Sequence, residues 1–139
     1  ADVHVAALDL ANLDSIRRFA EALQAREPYL SVLINNAGVM MPPLARTADG
    51  FELQFGTNVL GHFALTGRLL PLLQASADAR IVSVSSVGHW AGRIRFDNLN
   101  AERGYNKASA YNQSKLCNLV FAYELQRRLE RARLPIPLR

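Results

Sequence analysis

The sequence predicts an α/β fold in which a parallel β-sheet is covered by helices on both faces. Three short apolar runs, at residues 3–8, 31–34 and 81–84, have the character of buried strands. Stretches with apolar residues at helical spacing separate these runs, and another follows the last of them. Strands that alternate with helices are typical of doubly wound parallel sheets. We therefore expect a single domain over residues 1–139.

Composition and charge exclude several classes of protein. Hydrophobic residues make up 50% of the chain and charged residues 20%, with a net charge of +4, which is typical of soluble globular domains. The lone Cys117 cannot form an internal disulfide, and no Cys and His residues have metal-ligand spacing. No apolar run is long enough for a membrane span, and no signal peptide is evident. We expect a cytoplasmic protein without a metal site.

Arginines near the C-terminus raise the alternative of a nucleic-acid-binding face. They are Arg127, Arg128, Arg131, Arg133 and Arg139. No aromatic stacking motif is interleaved with them, so a solvated helix face is favoured and no nucleic-acid partner is expected.

The first half of the chain reads as strand, helix, strand and helix. The strand at 3–8 ends at Asp9-Leu10, and Asn12 is placed to cap a helix over about 13–26. The strand at 31–34 leads directly into Asn35-Asn36-Ala37-Gly38. A helical pattern then runs from about Phe51 to Leu73, interrupted by Asn58 and Gly61. Both residues are poor helix formers, so they mark either a functional or strained position or a helix held by its packing.

The second half contains one more strand and a long helix. The strand at 81–84 ends in Ser85-Ser86, and a polar segment without clear periodicity spans residues 88–109. A loop of this length inside a compact domain is usually functional or disordered. The last helix is expected from Tyr111 to about Arg133. Its inward residues are expected to be Leu116, Leu119, Val120, Tyr123 and Leu129.

Polar residues follow each predicted strand, at Asp9-Leu10, at 35–38 and at Ser85-Ser86. Ligands of parallel sheets bind beyond the carboxyl ends of the strands. We therefore expect these three strand ends to converge on one crevice, with the start of the last helix beside it.

Tyr111 and Lys115 are four residues apart, so both lie on one side of the last helix. A phenol titrates near pH 10, and a nearby cation favours the phenolate and lowers that pKa. The pair therefore suits a general acid and base, although the same spacing also occurs in ordinary surface pairs.

With these motifs in order, the chain resembles the short-chain dehydrogenase/reductase family. Residues 35–38 match its N-N-A-G turn, Asn58 its helix asparagine, and Ser86, Tyr111 and Lys115 its serine and Y-x-x-x-K motif. The resemblance covers nearly the whole chain. The long separation between Ser86 and Tyr111 is similar to the branch with retinol dehydrogenases, protochlorophyllide reductase and the WW-domain-containing oxidoreductase. Further segments similar to that branch are 51–56, 92–96 and 110–116.

The resemblance implies a Rossmann-like fold and an NAD(P)-dependent oxidoreductase that interconverts an alcohol and a carbonyl compound by hydride transfer. Tyr111 is then the proton donor or acceptor, and Ser86 binds the substrate oxygen. Lys115 binds the nicotinamide ribose and lowers the pKa of Tyr111, while Asn58 anchors a water that links Lys115 to solvent. The same route implies NADP in preference to NAD and an apolar substrate.

Other cofactor contacts implied by the resemblance have structural alternatives. Asn35, Asn36, Ala37 and Gly38 line the adenosine side of the cofactor, although Asn residues also form turns by themselves. Asp9 and Leu10 lie at the adenine, but an Asp before a helix also serves as a cap. Ser85 is the alternative to Ser86. His62 and His89 are expected to be structural or loop residues.

The family's glycine-rich phosphate loop, T-G-x-x-x-G-x-G, has no match in this sequence. The chain resembles the middle part of such a protein, with the opening βαβ unit and the C-terminal strands absent from the sequence. The family neighbours of the strands at 3–8 and 31–34 are then missing too, and unpaired strands are costly. If the chain is complete, cofactor binding is expected to be weak or absent.

Two functions follow. The first is the oxidoreductase, and the alternative is a truncated, non-catalytic Rossmann-like fragment that acts as a binding or interaction module. By resemblance, homodimers or homotetramers form through the Asn58 helix and the Tyr111 helix. The apolar residues Leu65, Leu69 and Leu72 suit that outer surface, or they face the sheet.

Overall fold

The first helix begins where its capping residue predicts. In the computed structural model, which describes residues 2–138, α1 spans Leu13–Arg26. The side chain of Asn12 accepts hydrogen bonds from the backbone N–H groups of Asp14 and Ser15 at 2.9 and 3.0 Å. These bonds satisfy two of the N–H groups that a helix start leaves free. Ile16 and Ala20 point into the core from this helix.

Two strands form a parallel pair. β1 spans Val32–Asn35 and β2 spans Arg80–Ser83, each shifted by one residue from its expected position. Leu33 lies opposite Ile81 in the register, and Asn35 lies opposite Ser83. On the other edge of β2, the N–H of Ile81 donates to the carbonyl oxygen of Pro137 at 3.0 Å. The parallel arrangement predicted from the alternating pattern is confirmed.

The prediction of a strand at residues 3–8 is wrong. These residues adopt neither helix nor strand, and the side chains of Val3 and Val5 are 78% and 96% exposed. An apolar run becomes a strand only when a neighbouring strand satisfies its backbone groups. β1 and β2 pair with each other, and no described strand pairs with residues 3–8.

The helix with the two interruptions contains a π-helical turn. It is made of α2 (Leu53–Phe55), the π turn (Gly56–Gly61) and α3 (His62–Gln74), so it begins two residues later than expected. The π turn contains both Asn58 and Gly61. A Cβ on Gly61 would lie 2.5 Å from the carbonyl oxygen of Leu10, so only glycine fits this contact. The poor helix formers therefore mark a departure from α-helical geometry.

The core forms where α1, α3 and the two strands pack together. Its buried members are Leu10, Ile16, Ala20, Leu33, Leu65, Leu69, Leu72, Leu73, Ala79, Ile81, Leu129 and Ile136. Leu65, Leu69 and Leu72 thus face the interior, and they do not form an outer contact surface.

The last helix, α4, spans Lys107–Arg131 and begins four residues before Tyr111. Its cap is Asn106, whose side chain accepts from the N–H of Ser109 at 2.9 Å. Leu129 is buried as expected, but Val120 and Tyr123 are 48% and 72% exposed, so their inward placement was wrong. These two residues lie three apart, on one stripe of the helix that faces away from the core.

The polar segment expected over 88–109 is shorter than predicted. A 3₁₀ turn at Val87–Ala91 takes its first residues, and α4 takes its last three. Irregular backbone remains between residues 92 and 106.

Two arginines of the C-terminal cluster pair with an acidic residue. Arg127 and Arg128 contact the carboxylate of Glu124 at 2.6 and 2.7 Å. Hydrogen bonds from these two guanidinium groups lower the pKa of Glu124 to about 2. Arg139 lies outside the described residues. The pairing supports a solvated helix face.

Within residues 2–138, no helix has the length and apolar character needed to cross a membrane. No group of three metal-ligating side chains occurs in the same residues.

Candidate active site

Asn58 joins three parts of the molecule. It is completely buried in the π turn. Its Oδ1 accepts from the N–H of Val39 at 2.8 Å, and its Nδ2 donates to the carbonyl oxygen of Val39 at 2.9 Å and to Ser114 Oγ at 3.0 Å. Asn58 therefore fixes the chain just after the N-N-A-G turn against α4.

Gly38, the last residue of that turn, lies against the same asparagine. A Cβ at position 38 would lie 2.9 Å from Asn58 Oδ1 and 3.7 Å from Lys115 Nζ. Contacts below 3.0 Å are not tolerated without movement of the neighbour. The close approach requires glycine, and it places the exposed turn directly beside Lys115.

Lys115 is a buried cation close to Tyr111. Its side chain is only 6% exposed, and its Nζ lies 5.7 Å from the centroid of the Tyr111 ring. No carboxylate in residues 2–138 forms a salt bridge with it. Burying an unpaired charge is costly, so a buried lysine without a carboxylate partner is a candidate functional residue. The expected pairing of Tyr111 and Lys115 on one side of α4 is present.

The two serines after β2 have different environments. Ser85 Oγ donates to the backbone carbonyl of Lys115 at 2.8 Å, which ties the strand end to α4. Ser86 Oγ accepts from the N–H of Gly88 at 3.2 Å and caps the 3₁₀ turn. The Ser86 hydroxyl proton donates to no group among the described residues, so it is free for a ligand. Of the two alternatives, this geometry favours Ser86.

The 3₁₀ turn that begins at Ser86 packs on the start of α4. A Cβ on Gly88 would lie 3.4 Å from Cε1 of Tyr111 and 2.6 Å from Oδ1 of Asn112. The turn therefore lies against the Tyr111 ring. The ends of β1 and β2 lie beside α4, at Gly38 and at Ser85, as predicted for two of the three strand ends; the third, at Asp9-Leu10, has no strand before it.

The remaining residues of the N-N-A-G turn divide into a buried one and exposed ones. Asn35 is 3% exposed and donates through Nδ2 to Thr66 Oγ1 at 2.9 Å, which is a structural bond. Asn36 and Ala37 are exposed. The structural alternative thus holds for Asn35, which keeps the strand end in place, and the cofactor contacts of the turn stay a prediction.

Asp9 contacts the start of α1, and Leu10 contacts the π turn at Gly61. Asp9 is exposed, and its Oδ1 accepts from the N–H of Ala11 at 2.8 Å, as expected of a residue that caps a turn. Leu10 is 9% exposed and belongs to the core. Neither contact excludes the adenine contact that the resemblance implies.

His62 is the residue whose place in the site the sequence does not reveal. It is 4% exposed, and its Nδ1 donates to the carbonyl oxygen of Asn58 at 2.9 Å. Burial lowers the pKa of His62; the bond to Asn58 acts against this, and the charge of Lys115 adds to it. Its position four residues after Asn58 is the only sequence signal for this contact.

Ser114 is the second such residue. It is 1% exposed, donates to the carbonyl oxygen of Tyr111 at 2.7 Å and accepts from Asn58. A small polar residue at this position can form a hydrogen bond to a neighbouring helix, but the sequence does not show that its partner is Asn58.

Comparison with known proteins identifies the family of this chain. The family model described as "short chain dehydrogenase" matches residues 1–136. The chain therefore belongs to the short chain dehydrogenase family. Retinol dehydrogenase 14 of Mus musculus is 56% identical over 123 residues, which is 88% of this chain and 37% of that protein. The chain thus spans well under half the length of this relative.

Solved structures show the same fold. An uncharacterized protein from Mycobacterium paratuberculosis shares 52% identity with a TM-score of 0.82, over 93% of this chain and 46% of that one. The RhlG/NADP active-site complex of Pseudomonas aeruginosa shares 27% identity with a TM-score of 0.67, over 93% of this chain and 48% of that one. The Rossmann-like fold class is confirmed, as a part of the complete fold.

Proposed function

We propose that this protein is an NAD(P)-dependent oxidoreductase that interconverts an alcohol and a carbonyl compound. The observation that carries the proposal is the position of the Lys115 ammonium group. It is buried between the N-N-A-G turn at Gly38 and the ring of Tyr111, without a carboxylate partner in residues 2–138. A cation held between an exposed backbone turn and a phenol suits a site that binds a polar ligand and moves a proton.

The residues present fit a nicotinamide cofactor on its ribose side. The ammonium of Lys115 provides hydrogen-bond donors for ribose hydroxyls, and the exposed backbone of Gly38 lies beside it. The exposed Asn36 and Ala37 continue this surface. When bound, the cofactor supplies or accepts the hydride. We assign Asp9 and Leu10 to its adenine side by family resemblance alone.

The protein's own residues then handle one proton and one oxygen atom. In reduction, the Tyr111 hydroxyl gives its proton to the substrate oxygen, and in oxidation it takes that proton back. The free hydroxyl of Ser86 donates a hydrogen bond to the same oxygen and orients it. The positive charge of Lys115 stabilises the phenolate that Tyr111 forms on giving up its proton. Asn58 holds the segment that contains Gly38 against the helix that contains Lys115, through its hydrogen bonds to Val39 and Ser114.

An apolar substrate is supported by the surroundings of Ser86. Val87 and Trp90, in the turn that Ser86 caps, are each 84% exposed, and Phe96 further along is 82% exposed. Exposed apolar side chains of this size often mark a binding surface. The retinol dehydrogenase relatives point to the same class of alcohol. NADP is the favoured cofactor, with support from the NADP complex named above, and a cytoplasmic location remains part of the proposal.

We also propose that α3 and α4 form a contact surface between copies of this protein. Phe63 is 61% exposed and packs edge-to-face on Phe121, with ring centroids 5.7 Å apart. The two rings line an apolar groove of about 330 Å³ together with Leu70 and Leu125. This groove replaces the inward-facing Leu65, Leu69 and Leu72 as the candidate dimer contact.

The experiment is an assay of the purified protein with NADPH or NADH and an apolar aldehyde such as retinal. Replacing Tyr111 by Phe removes the proton donor and is expected to lower kcat by about 10²- to 10⁴-fold. Cofactor fluorescence is expected to persist in this variant, with circular dichroism as the control for folding. Unchanged turnover in Tyr111→Phe contradicts the assignment. A folded protein without any cofactor response favours the non-catalytic binding module.

A further inference from the structure

A cleft of about 190 Å³ lies beside the first turns of α4, away from the candidate active site. Residues of the 91–106 segment form one wall, and Glu52 together with Ser109, Ala110 and Gln113 forms the other. None of Asn58, Ser86, Tyr111 and Lys115 lines it. The long connection between β2 and α4 therefore forms a cleft that has no part in the proposed reaction.

Gln113 provides a hydrogen-bond donor in this cleft. Its side chain is 7% exposed, and its Oε1 accepts from the N–H of Arg95 at 2.8 Å. That bond fixes which end of the amide is the oxygen, so Nε2 is the free end. Nε2 has no acceptor anywhere in residues 2–138. Because Gln113 is two positions from both Tyr111 and Lys115, it lies on the other side of α4 from them.

Two exposed arginines line the cleft. Arg93 and Arg95 both line it, and neither has a salt bridge to any carboxylate in the part of the chain that the structure describes. The capping residue Asn106 and the first turn of α4 border the same space. The N-terminal end of a helix this long carries partial positive charge.

The one carboxylate in the lining does not cancel this charge at the mouth of the cleft. Glu52 is 1% exposed, and its two oxygens accept from the N–H groups of Gln54 at 2.9 Å and Phe55 at 2.7 Å. Glu52 caps α2 through these bonds, but its charge remains in the lining, where burial and this charge together raise the pKa of Tyr105. One carboxylate beside two guanidinium groups leaves the lining with a net positive charge.

From these observations we propose that the cleft is a binding site for a small oxyanion, the carboxylate or phosphate group of a ligand. Gln113 Nε2 donates to one oxygen, and the guanidinium groups of Arg93 and Arg95 donate to the others. Arginine matches the paired oxygens of both groups, and charged partners strengthen such bonds. A volume of about 190 Å³ suits an anionic group and its immediate neighbours rather than a whole nucleotide. The proposal does not depend on the proposed oxidoreductase function.

The test is an NMR titration, to which a protein of 15.4 kDa is well suited. Sodium phosphate and sodium acetate are added to the ¹⁵N-labelled protein up to about 30 mM, well above a millimolar dissociation constant. Sodium chloride holds the ionic strength constant. The side-chain amide signals of Gln113 and the backbone amide of Arg95 are expected to shift and saturate. Saturation with acetate identifies a carboxylate ligand, and saturation with phosphate alone identifies a phosphate ligand.

Matched variants separate this site from general charge effects. Gln113→Glu keeps an acceptor for the Arg95 N–H but removes the Nε2 donor, and Arg95→Gln removes one guanidinium. Each is expected to weaken binding by about tenfold or more, because a charge-assisted bond is lost. Arg68→Gln is the control, since Arg68 is exposed on α3 and takes no part in the cleft. Shifts that do not saturate, or equal weakening in Arg68→Gln and Arg95→Gln, overturn the proposal.

Discussion

The imidazole of His62 replaces a backbone hydrogen bond at the carbonyl oxygen of Asn58. In an α-helix that oxygen accepts from the N–H of the residue four positions later, which here is His62. The N–H of His62 instead donates to Val59, and its Nδ1 donates to Asn58 at 2.9 Å. The hydrogen bond from the ring thereby takes the place of the α-helical backbone bond that is missing in the π turn. This turn presents the Asn58 side chain to Val39 and Ser114.

A pH-dependent stability follows from the burial of His62. Burial is the main cause that lowers the pKa of its imidazole below the ordinary value of 6.5. The folded protein therefore favours the neutral ring, whereas the unfolded chain binds a proton more readily. Stability from this group is present above pH 6.5 and is lost as the pH falls through the lower, folded-state pKa. Urea denaturation between pH 7 and pH 5 should show a falling midpoint.

Two histidine variants isolate this effect. His62→Gln retains a side-chain N–H donor but does not titrate, so its midpoint should change less over the same pH range. His4→Gln, at an exposed position, is the control and should behave as the parent protein. If the parent and His62→Gln lose stability in parallel, His62 is not the group responsible.

Replacing Asn58 by Ala should destabilise the protein by about 2–4 kcal/mol, because the N–H and carbonyl groups of Val39 and the hydroxyl of Ser114 lose their partner. Urea denaturation measures the loss, and hydrogen exchange at the Val39 amide should become faster. Asn36→Ala is the matched control, since Asn36 is exposed and its side chain makes no hydrogen bond in the described region. A change of less than about 0.5 kcal/mol is expected there. Similar losses in both variants contradict the role of Asn58 as a connector.

The thiol of Cys117 should be unreactive in the folded protein. Burial raises the pKa of Cys117 to about 11, so very little thiolate is present at pH 8. Its side chain is also 9% exposed, which blocks access. Reaction with a disulfide reagent such as dithionitrobenzoate should therefore be slow in buffer and rapid in urea. Fast reaction in buffer, with the fold intact by circular dichroism, contradicts this placement.

Local signals allowed much of the fold to be predicted from the sequence. The side chain of Asn12 caps α1 within three residues, and the apolar runs at β1 and β2 pair with each other, with one further bond from Ile81 to Pro137. The run at residues 3–8 has the same apolar character, yet no described strand pairs with it. A strand depends on contacts distant in sequence, which a local pattern does not contain.

The start of α4 shows the same limit. The side chain of Asn106 caps the helix, but in the sequence it lies within a polar segment whose other residues form irregular backbone. Because the Y-x-x-x-K motif is the clearer signal, the start of the helix was expected at Tyr111 instead. For Val120 and Tyr123, apolar character alone indicated burial, whereas the orientation of α4 decided it.

The sequence indicated part of the candidate site, but neither its bonds nor the places of His62 and Ser114 in it. Strand ends and helix spacing bring Ser86, Tyr111 and Lys115 together. The bond from Ser85 to the Lys115 carbonyl, and the bond from His62 to Asn58, depend on how whole elements are packed. Asn58 and Gly61 did signal an irregular helix, because their poor propensity is a local property. The catalytic roles of these residues remain predictions.

Two glycines provide a direct test of the packing between the N-N-A-G turn and Asn58. In Gly38→Ala, the new Cβ would lie 2.9 Å from Asn58 Oδ1, so the turn or the asparagine must move. We expect a loss of about 1–3 kcal/mol, as is usual for overpacking. Gly67 lies within α3, and a Cβ there would meet no atom within 4 Å. Gly67→Ala should instead stabilise the protein by about 0.5–1 kcal/mol, because alanine favours a helix. Urea denaturation of both variants measures whether each free energy of unfolding falls or rises. If Gly38→Ala is as stable as the parent while Gly67→Ala gains stability, the turn does not rest on Asn58, and the position of Lys115 beside it loses its main support.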